Sequence, residues 1–171
     1  IDQGQGLLLA FGHLRFSDLG HFGVGAGHDV VQVATVGGGL LGGLGGLLGP
    51  LAACALDALI IGAWSEAHDE GPQGYLDGLI ERRAELPALK ALFVGDMTYE
   101  DCEISWIIQA DYNPLLAAFP QLRSLRIRGS SGLKLVPFAH ESLEELAIEC
   151  GGLPSGIANA IAASKLPALR K

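Results

Sequence analysis

Apolar and polar residues alternate in four short stretches that share one pattern, Leu-x-x-Leu-x-[Leu/Ile/Val]. They read Leu56-Asp-Ala-Leu59-Ile-Ile61, Leu89-Lys-Ala-Leu92-Phe-Val94, Leu122-Arg-Ser-Leu125-Arg-Ile127 and Leu143-Glu-Glu-Leu146-Ala-Ile148. Successive side chains of a strand point to opposite faces, so the fourth and sixth positions of each unit share one face. Leu59, Ile61, Leu92, Val94, Leu125, Ile127, Leu146 and Ile148 are therefore expected inside. The central leucines stand at 59, 92, 125 and 146, giving spacings of 33, 33 and 21. A fifth copy, read as Leu166-Pro-Ala-Leu169-Arg-Lys171, breaks off before its strand.

A helical period fills the gaps. Leu76, Leu79, Ile80 and Arg83 follow the i, i+3, i+4, i+7 rule and predict a helix over 75–86, with the stem of Arg83 closing the apolar stripe. Asn113-Pro114 predicts an N-cap and a first helical turn leading into Leu115–Phe119. Ser155 is expected to cap a third helix running to Ser164, with Ile157, Ala160 and Ile161 inward. Leu86-Pro87, Phe119-Pro120 and Leu166-Pro167 end these helices, because the residue before proline is pushed out of the helical region.

Strand, loop, helix and then the next parallel strand is the grammar of a repeat stack. The expected fold is α/β, an irregular leucine-rich-repeat-like stack with parallel strands in sequence order and helices on its convex side. The asparagine usual in such repeats is missing. The positions three residues after the last apolar strand residue hold Trp64, Met97, Ser130 and Gly151. The 33-residue spacing also exceeds the usual range of roughly 20 to 29.

Composition divides the chain at 53/54. The first fifty residues hold 15 of the 25 glycines, and Gly37 to Gly49 is nearly a two-letter text of glycine and leucine. Glycine inside an element costs roughly 0.5 to 1 kcal/mol relative to alanine, so residues 1–53 are expected to be loosely structured apart from a strand at Val30–Val36. They are also expected to be dispensable for the repeat domain, 54–171. A net charge of −8 argues against a nucleic-acid surface, which draws its affinity from Lys and Arg. Cys54, Cys102 and Cys150 are odd in number and form no CxxC pair, so they read as buried, reduced thiols of a cytoplasmic protein.

From about Leu56 to Lys171 the chain resembles a bacterial leucine-rich-repeat family of unestablished activity. The stretches carrying the resemblance are 58–64, Leu92 to Trp106, Pro114 to Pro120, Leu125 to Gly129 and Gly151 to Pro154, with Gly95 to Trp106 the most distinctive. The resemblance implies a cytoplasmic repeat protein that continues past Lys171, and it brings no catalytic residues with it. Residues 1–53 fall outside it; a shifted reading frame or a fusion would account for their composition.

Several motifs invite chemistry and fail on detail. Gly37-Gly-Gly39-Leu-Leu-Gly42 satisfies G-x-G-x-x-G, yet the helix that should follow contains Gly43, Gly45, Gly46, Gly49 and Pro50. Leu51-Ala-Ala-Cys54 has the form of a lipoprotein processing site without a nearby basic region. Residues 30–56 are long enough to span a membrane but are dense in glycine and lack flanking charge. His13, His21 and His28 have no partners at regular metal-ligand spacing, and His68 and His140 stand isolated in the sequence. No cofactor, metal or catalytic residue is expected.

The best candidate site is the acidic loop Gly95 to Trp106, where Asp96, Glu100, Asp101 and Glu103 lie between strand and next element. The plain alternative is a solvated loop with Ile104, Trp106 and Ile107 packed beneath it. Aligning the units places Ile60, Phe93, Arg126 and Ala147 in one lateral row, with Arg128 beside Glu149. An exposed strand face of Ala58, Ile60, Phe93, Ser124, Arg126, Arg128, Glu145 and Glu149 is the expected contact surface. The function expected is a non-enzymatic scaffold binding a protein partner, basic in character, through Phe93, Asp96, Glu100, Asp101, Glu103, Trp106, Arg126 and Arg128. The competing expectations are an enzyme or metal-binding protein using the acidic loop, and a membrane-attached protein.

Overall fold

A computed structural model describes residues 33–36, 56–64 and 66–171. Five parallel strands form one sheet in sequence order: β1 (Val33–Val36), β2 (Ala58–Gly62), β3 (Ala91–Asp96), β4 (Ser124–Arg128) and β5 (Glu145–Glu149). Helices α1 (Gln73–Glu81), α2 (Asn113–Ala118) and α3 (Ser155–Ala162) join the strands, with one 3₁₀ turn at Arg83–Glu85. The fold is α/β with a sequential parallel sheet, as the alternation of patterns requires. The Gly-rich motif at 37–42, the Cys54 site, His13, His21 and His28 lie outside the described residues.

Strands β3, β4 and β5 enter the sheet in the same way. The Asp57 carbonyl accepts from the Lys90 and Ala91 N–H groups, at 2.8 and 3.1 Å. The Lys90 carbonyl takes Arg123 and Ser124, and the Arg123 carbonyl takes Glu144 and Glu145. This rung keeps the leucine units in register: Leu59 lies beside Leu92, Leu92 beside Leu125, and Leu125 beside Leu146. The loops stack as well, through parallel bridges pairing Ile108 with Ser131, Asp111 with Lys134, and Ala139 with Lys165.

One further rung corrects the reading of the fifth copy. The Glu144 carbonyl accepts from Arg170 and Lys171 N–H, and Leu169 N–H turns back to the Leu166 carbonyl. Leu89 and Leu122 make that same turn to Leu86 and Phe119. Leu169 is therefore the first leucine of its unit, not the central one. A proline pair, Leu86-Pro87, Phe119-Pro120 or Leu166-Pro167, begins three residues ahead and marks the phase in all three units.

The core lies between the sheet and the helices. Leu59, Ile61, Leu92, Val94, Leu125 and Ile127 are buried with Leu76, Leu79, Leu115, Leu116 and Ile157 in one cluster. Leu146 and Ile148 are only half-buried, against the expectation for all eight. β5 has only Arg170 and Lys171 on its outer side, so nothing among the described residues covers the far side of that pair. The 21-residue step from β4 to β5 carries no helix, which thins the cover there further.

Local details depart from the caps and stripes expected. Helix α1 stops at Glu81, Arg82 turns out of helical geometry, and Arg83 is exposed instead of closing the apolar stripe. Asn113 lies inside α2; its Oδ1 accepts from Val136 N–H, while Asp111 Oδ1 accepts from Asn113 N–H at 3.0 Å. Ser155 is the first helical residue after Pro154 and makes no capping bond. The sheet also crosses the compositional boundary, since β1 pairs with β2 from Val33–Ala58 to Val36–Ile61. Val33–Val36 lies within the strand expected at Val30–Val36, and it covers the edge that β2 would otherwise leave bare.

Burial separates the middle of the stack from its end in energy. Leu125→Ala is expected to lower unfolding free energy by about 2–5 kcal/mol, as deletion of a fully buried leucine does. Leu146→Ala, at the half-covered end, is expected to cost less than half of that. Urea unfolding of both variants checks the difference; equal losses would place a complete core behind β5.

Candidate functional site

The lateral row forms as the alignment implies, with Ile60 beside Phe93, Phe93 beside Arg126 and Arg126 beside Ala147. It is not an exposed face. Ala58 and Ile60 are buried, and Phe93 is only 2% exposed. The guanidinium carbons of Arg126 and Arg128 lie 5.8 and 5.3 Å from the centre of the Phe93 ring. Both are within cation–π reach and roof the ring over.

The two arginines are held in turn by carboxylates. Because Ala147 is small, Arg126 reaches past it on both sides, to Glu145 Oε1 at 3.8 Å and Glu149 Oε1 at 3.4 Å. Arg128 Nε donates to Glu149 Oε2 at 2.9 Å, and its Nη1 donates to the Met97 carbonyl at 2.8 Å, with Asp96 at 3.9 Å. Ser124 Oγ donates to Glu145 Oε2, and Lys171 Nζ lies 3.2 Å from Glu145 Oε1. Glu145 Oε1 is buried without a hydrogen bond, so these two cations balance its charge. Phe93, Asp96, Arg126 and Arg128 therefore form a closed network; a partner would have to break it before touching Phe93.

The acidic loop leaves the sheet at Gly95. Its φ of +93° and the 2.6 Å that would separate an added Cβ from the Arg128 carbonyl both require glycine. Thr98 N–H and Oγ1 both donate to Asp101 Oδ2 at 2.8 Å, while Asp101 and Cys102 N–H donate back to the Thr98 carbonyl. Ser105 Oγ donates to Glu103 Oε1 at 3.2 Å. Met97, Cys102 and Ile107 are buried and pin the loop from below. Tyr99 and Trp106 face outward, 84% and 66% exposed, so Trp106 does not pack beneath the loop as the plain alternative expected. Ile107 takes that anchoring place and presses on Gly129, where a Cβ would come within 2.7 Å of it.

Neighbouring loops line the same end of the sheet. Ser105 touches Gly151, and Ser130 Oγ donates to the Gly152 carbonyl at 2.9 Å. Leu153, the next residue, is also exposed. The loops after β3, β4 and β5 thus meet along one rim, on which Tyr99, Trp106 and Leu153 are open to solvent and Glu100 and Asp101 are exposed beside them.

Sequence reasoning missed two features. Gln109 is buried, donates from Nε2 to the Arg128 carbonyl at 2.7 Å, and accepts at Oε1 from the Tyr112 hydroxyl. It does for a turn carbonyl what the absent asparagine would do, from a position the repeat pattern does not mark. Burial pushes the Tyr112 hydroxyl well above the usual phenol range, so it remains a donor at neutral pH. The second feature is His68, which is not isolated: Glu66 and Asp69 lie 3.6 and 3.5 Å from its Nε2. These three are the one group among the described residues with metal-ligand proximity, all exposed, and none belongs to the acidic loop. His140 is buried, with Nε2 against the Phe119 carbonyl at 3.1 Å, which is a structural contact.

No family model matches the chain, and no curated protein matches it either. Among solved structures, it is similar to a crystal structure of a protein from Bacteroides fragilis, a structural-genomics target, with 34% sequence identity and a TM-score of 0.67. The match covers 75% of this chain and 36% of that one, so the chain spans little more than a third of that protein's length. Among the described residues no helix is long and apolar enough to cross a membrane. Val33–Val36, within the stretch considered as a span, are a strand of the sheet.

Chemistry at the loop is quiet at its one thiol. Burial, then Glu103, then Asp101 push the Cys102 thiol above its usual range, and Sγ donates to the Glu103 carbonyl at 3.6 Å. Since only the thiolate attacks electrophiles, Cys102 should be alkylated slowly at neutral pH, with its rate still climbing above the pH at which an ordinary thiol levels off. Iodoacetamide labelling across pH, read by peptide mass, checks this. Glu103→Gln and Asp101→Asn should move the profile to lower pH; a Cys102 that labels fast at pH 7 would show an open, activated thiol.

Proposed function

We propose that the chain is a non-enzymatic, cytoplasmic interaction module of leucine-rich-repeat type, and that it recognises a basic protein segment through the Gly95–Trp106 loop. The observation that carries this reading is the outward stance of Tyr99 and Trp106 beside Glu100 and Asp101, on a loop whose own hydrogen bonds hold it. Large aromatic side chains open to water are the usual anchors of interfaces, because they bury much area while losing few rotamers. Carboxylates around them favour Lys and Arg on the partner, both by steering and by cation contact with the rings. The net charge of −8 acts in the same direction.

This reading moves the contact surface from the strand row to the rim. Phe93, Arg126 and Arg128 support the loop from behind, with Arg128 holding the Met97 carbonyl at its base. Asp96 and Asp101 hold the loop's shape, leaving Glu100, Tyr99 and Trp106 as the contacts and Glu103 as a partly covered flank.

The test begins with capture of a partner by the full chain, followed by measured binding of that purified partner. Trp106→Ala and Tyr99→Ala are each expected to weaken it at least tenfold, mainly by faster dissociation. Glu100→Gln should slow association and flatten its salt dependence without changing dissociation, as loss of a rim charge does. Unchanged affinity in both aromatic variants would remove the loop from the interface.

A further inference from the structure

We propose that the loops after β2 and β3 form one continuous anionic surface, which takes an extended protein segment carrying two clusters of Lys or Arg, one on each loop. The proposal rests on the reading of Tyr99 and Trp106 as contacts and extends it to a second loop. Charge is distributed unevenly along the chain. Segments 63–72 and 96–112 hold eight of the nineteen Asp and Glu residues and no Lys or Arg, while the remainder holds eleven acids against eleven bases. The whole net charge of −8 therefore falls on these two loops. The loops after β4 and β5 do not share it. Segment 129–140 carries Lys134 and no carboxylate, and 150–154 carries neither sign.

Backbone contacts join the two loops. The Ala67 carbonyl accepts from Ile108 N–H at 2.9 Å. Gly71 lies so close to the Gln109 carbonyl that an added Cβ would stand 2.6 Å from it. Within the first loop, Asp69 and Glu70 N–H donate to the Glu66 carbonyl at 2.8 and 2.7 Å, and Trp64 Nε1 donates to the Glu70 carbonyl at 2.8 Å. Ala67 is buried, so the turn is anchored while Glu66, His68, Asp69 and Glu70 are exposed. Trp106 stands at the seam. It precedes Ile108 by two residues, a backbone span of roughly 7 Å at most, and it is 66% exposed. A Lys or Arg over the indole face gains cation–π attraction. Its neighbours along an extended chain, about 3.3 Å per residue, then reach towards carboxylates on either side. Acids alone would attract any cation; the exposed ring between them gives a chain one line to follow.

Two peptides probe this surface on the full chain by residue-resolved NMR. One is acetyl-Lys-Lys-Ser-Arg-Ser-Lys-Lys-amide, with a basic pair at each end, and the other is acetyl-Lys-Lys-Ser-Arg-Ser-Ser-Ser-amide, with one pair. The two-pair peptide is expected to shift the amides of 66–70 and 99–106 along one binding curve, at least tenfold tighter than the one-pair peptide. E66Q/D69N/E70Q should abolish that tenfold preference and leave the shifts in 99–106. E81Q/E85Q/E141Q removes the same charge from exposed acids outside both loops, and should change affinity less than twofold. Shifts confined to 99–106, with E66Q/D69N/E70Q binding as tightly as the parent, would overturn the second loop and leave the Tyr99–Trp106 reading standing. Shifts confined to 66–70 and indifferent to Trp106→Ala would overturn both. Equal losses in the two triple variants would show attraction to net charge alone and overturn the surface. So would the lack of any shift in either segment with millimolar two-pair peptide.

Discussion

One hydrogen-bonding arrangement governs this molecule: from β2 to β5, a single carbonyl at the mouth of the strand accepts two consecutive amides from the next unit. Asp57, Lys90, Arg123 and Glu144 supply that carbonyl in turn. The segments between them differ in length and content, and one has no helix, yet the rung repeats. A carbonyl can accept two bonds because it has two lone pairs, and buried backbone groups must be paired. The strands therefore start level whatever the connection does. Leucines on one side of that level line then meet across the sheet, and the core follows from the alignment.

Level strands also decide the other face. In a staggered sheet Arg126 and Arg128 would extend into water. In this register they lie over Phe93, and Glu145 and Glu149 arrive on either side of Ala147 to hold them. Removing such charges from water costs free energy, and the pairs do little more than offset it. Their effect is specificity of position: the network ties β3, β4 and β5 together and reaches the base of the acidic loop through the Met97 carbonyl. The loop's shape is thus continuous with the sheet's electrostatics.

With both faces of the central strands closed, recognition in this reading falls to the rim where loops end in solvent-exposed aromatic rings. The rim offers ring surface and charge to a folded or basic partner.

The sequence alone determined the strands and their order. Period-two alternation with leucine at fixed offsets admits one inward face, and parallel stacking follows when helical segments separate the units. Lateral register was legible too, since aligning the leucines placed Phe93 beside Arg126 and Arg128 beside Glu149. What sequence could not decide was exposure on the second face. Ile60 and Phe93 sit at positions that alternation calls outward, and they are buried by neighbours brought in from other strands. Tertiary structure alone likewise turned Trp106 out and Ile107 in, and drew Gln109 to a carbonyl nineteen positions away in sequence. It also set the phase of the last unit, where two leucines three apart fit the pattern equally well. Local spacing encodes which residues can share a face. Only the packed neighbours determine whether that face meets water.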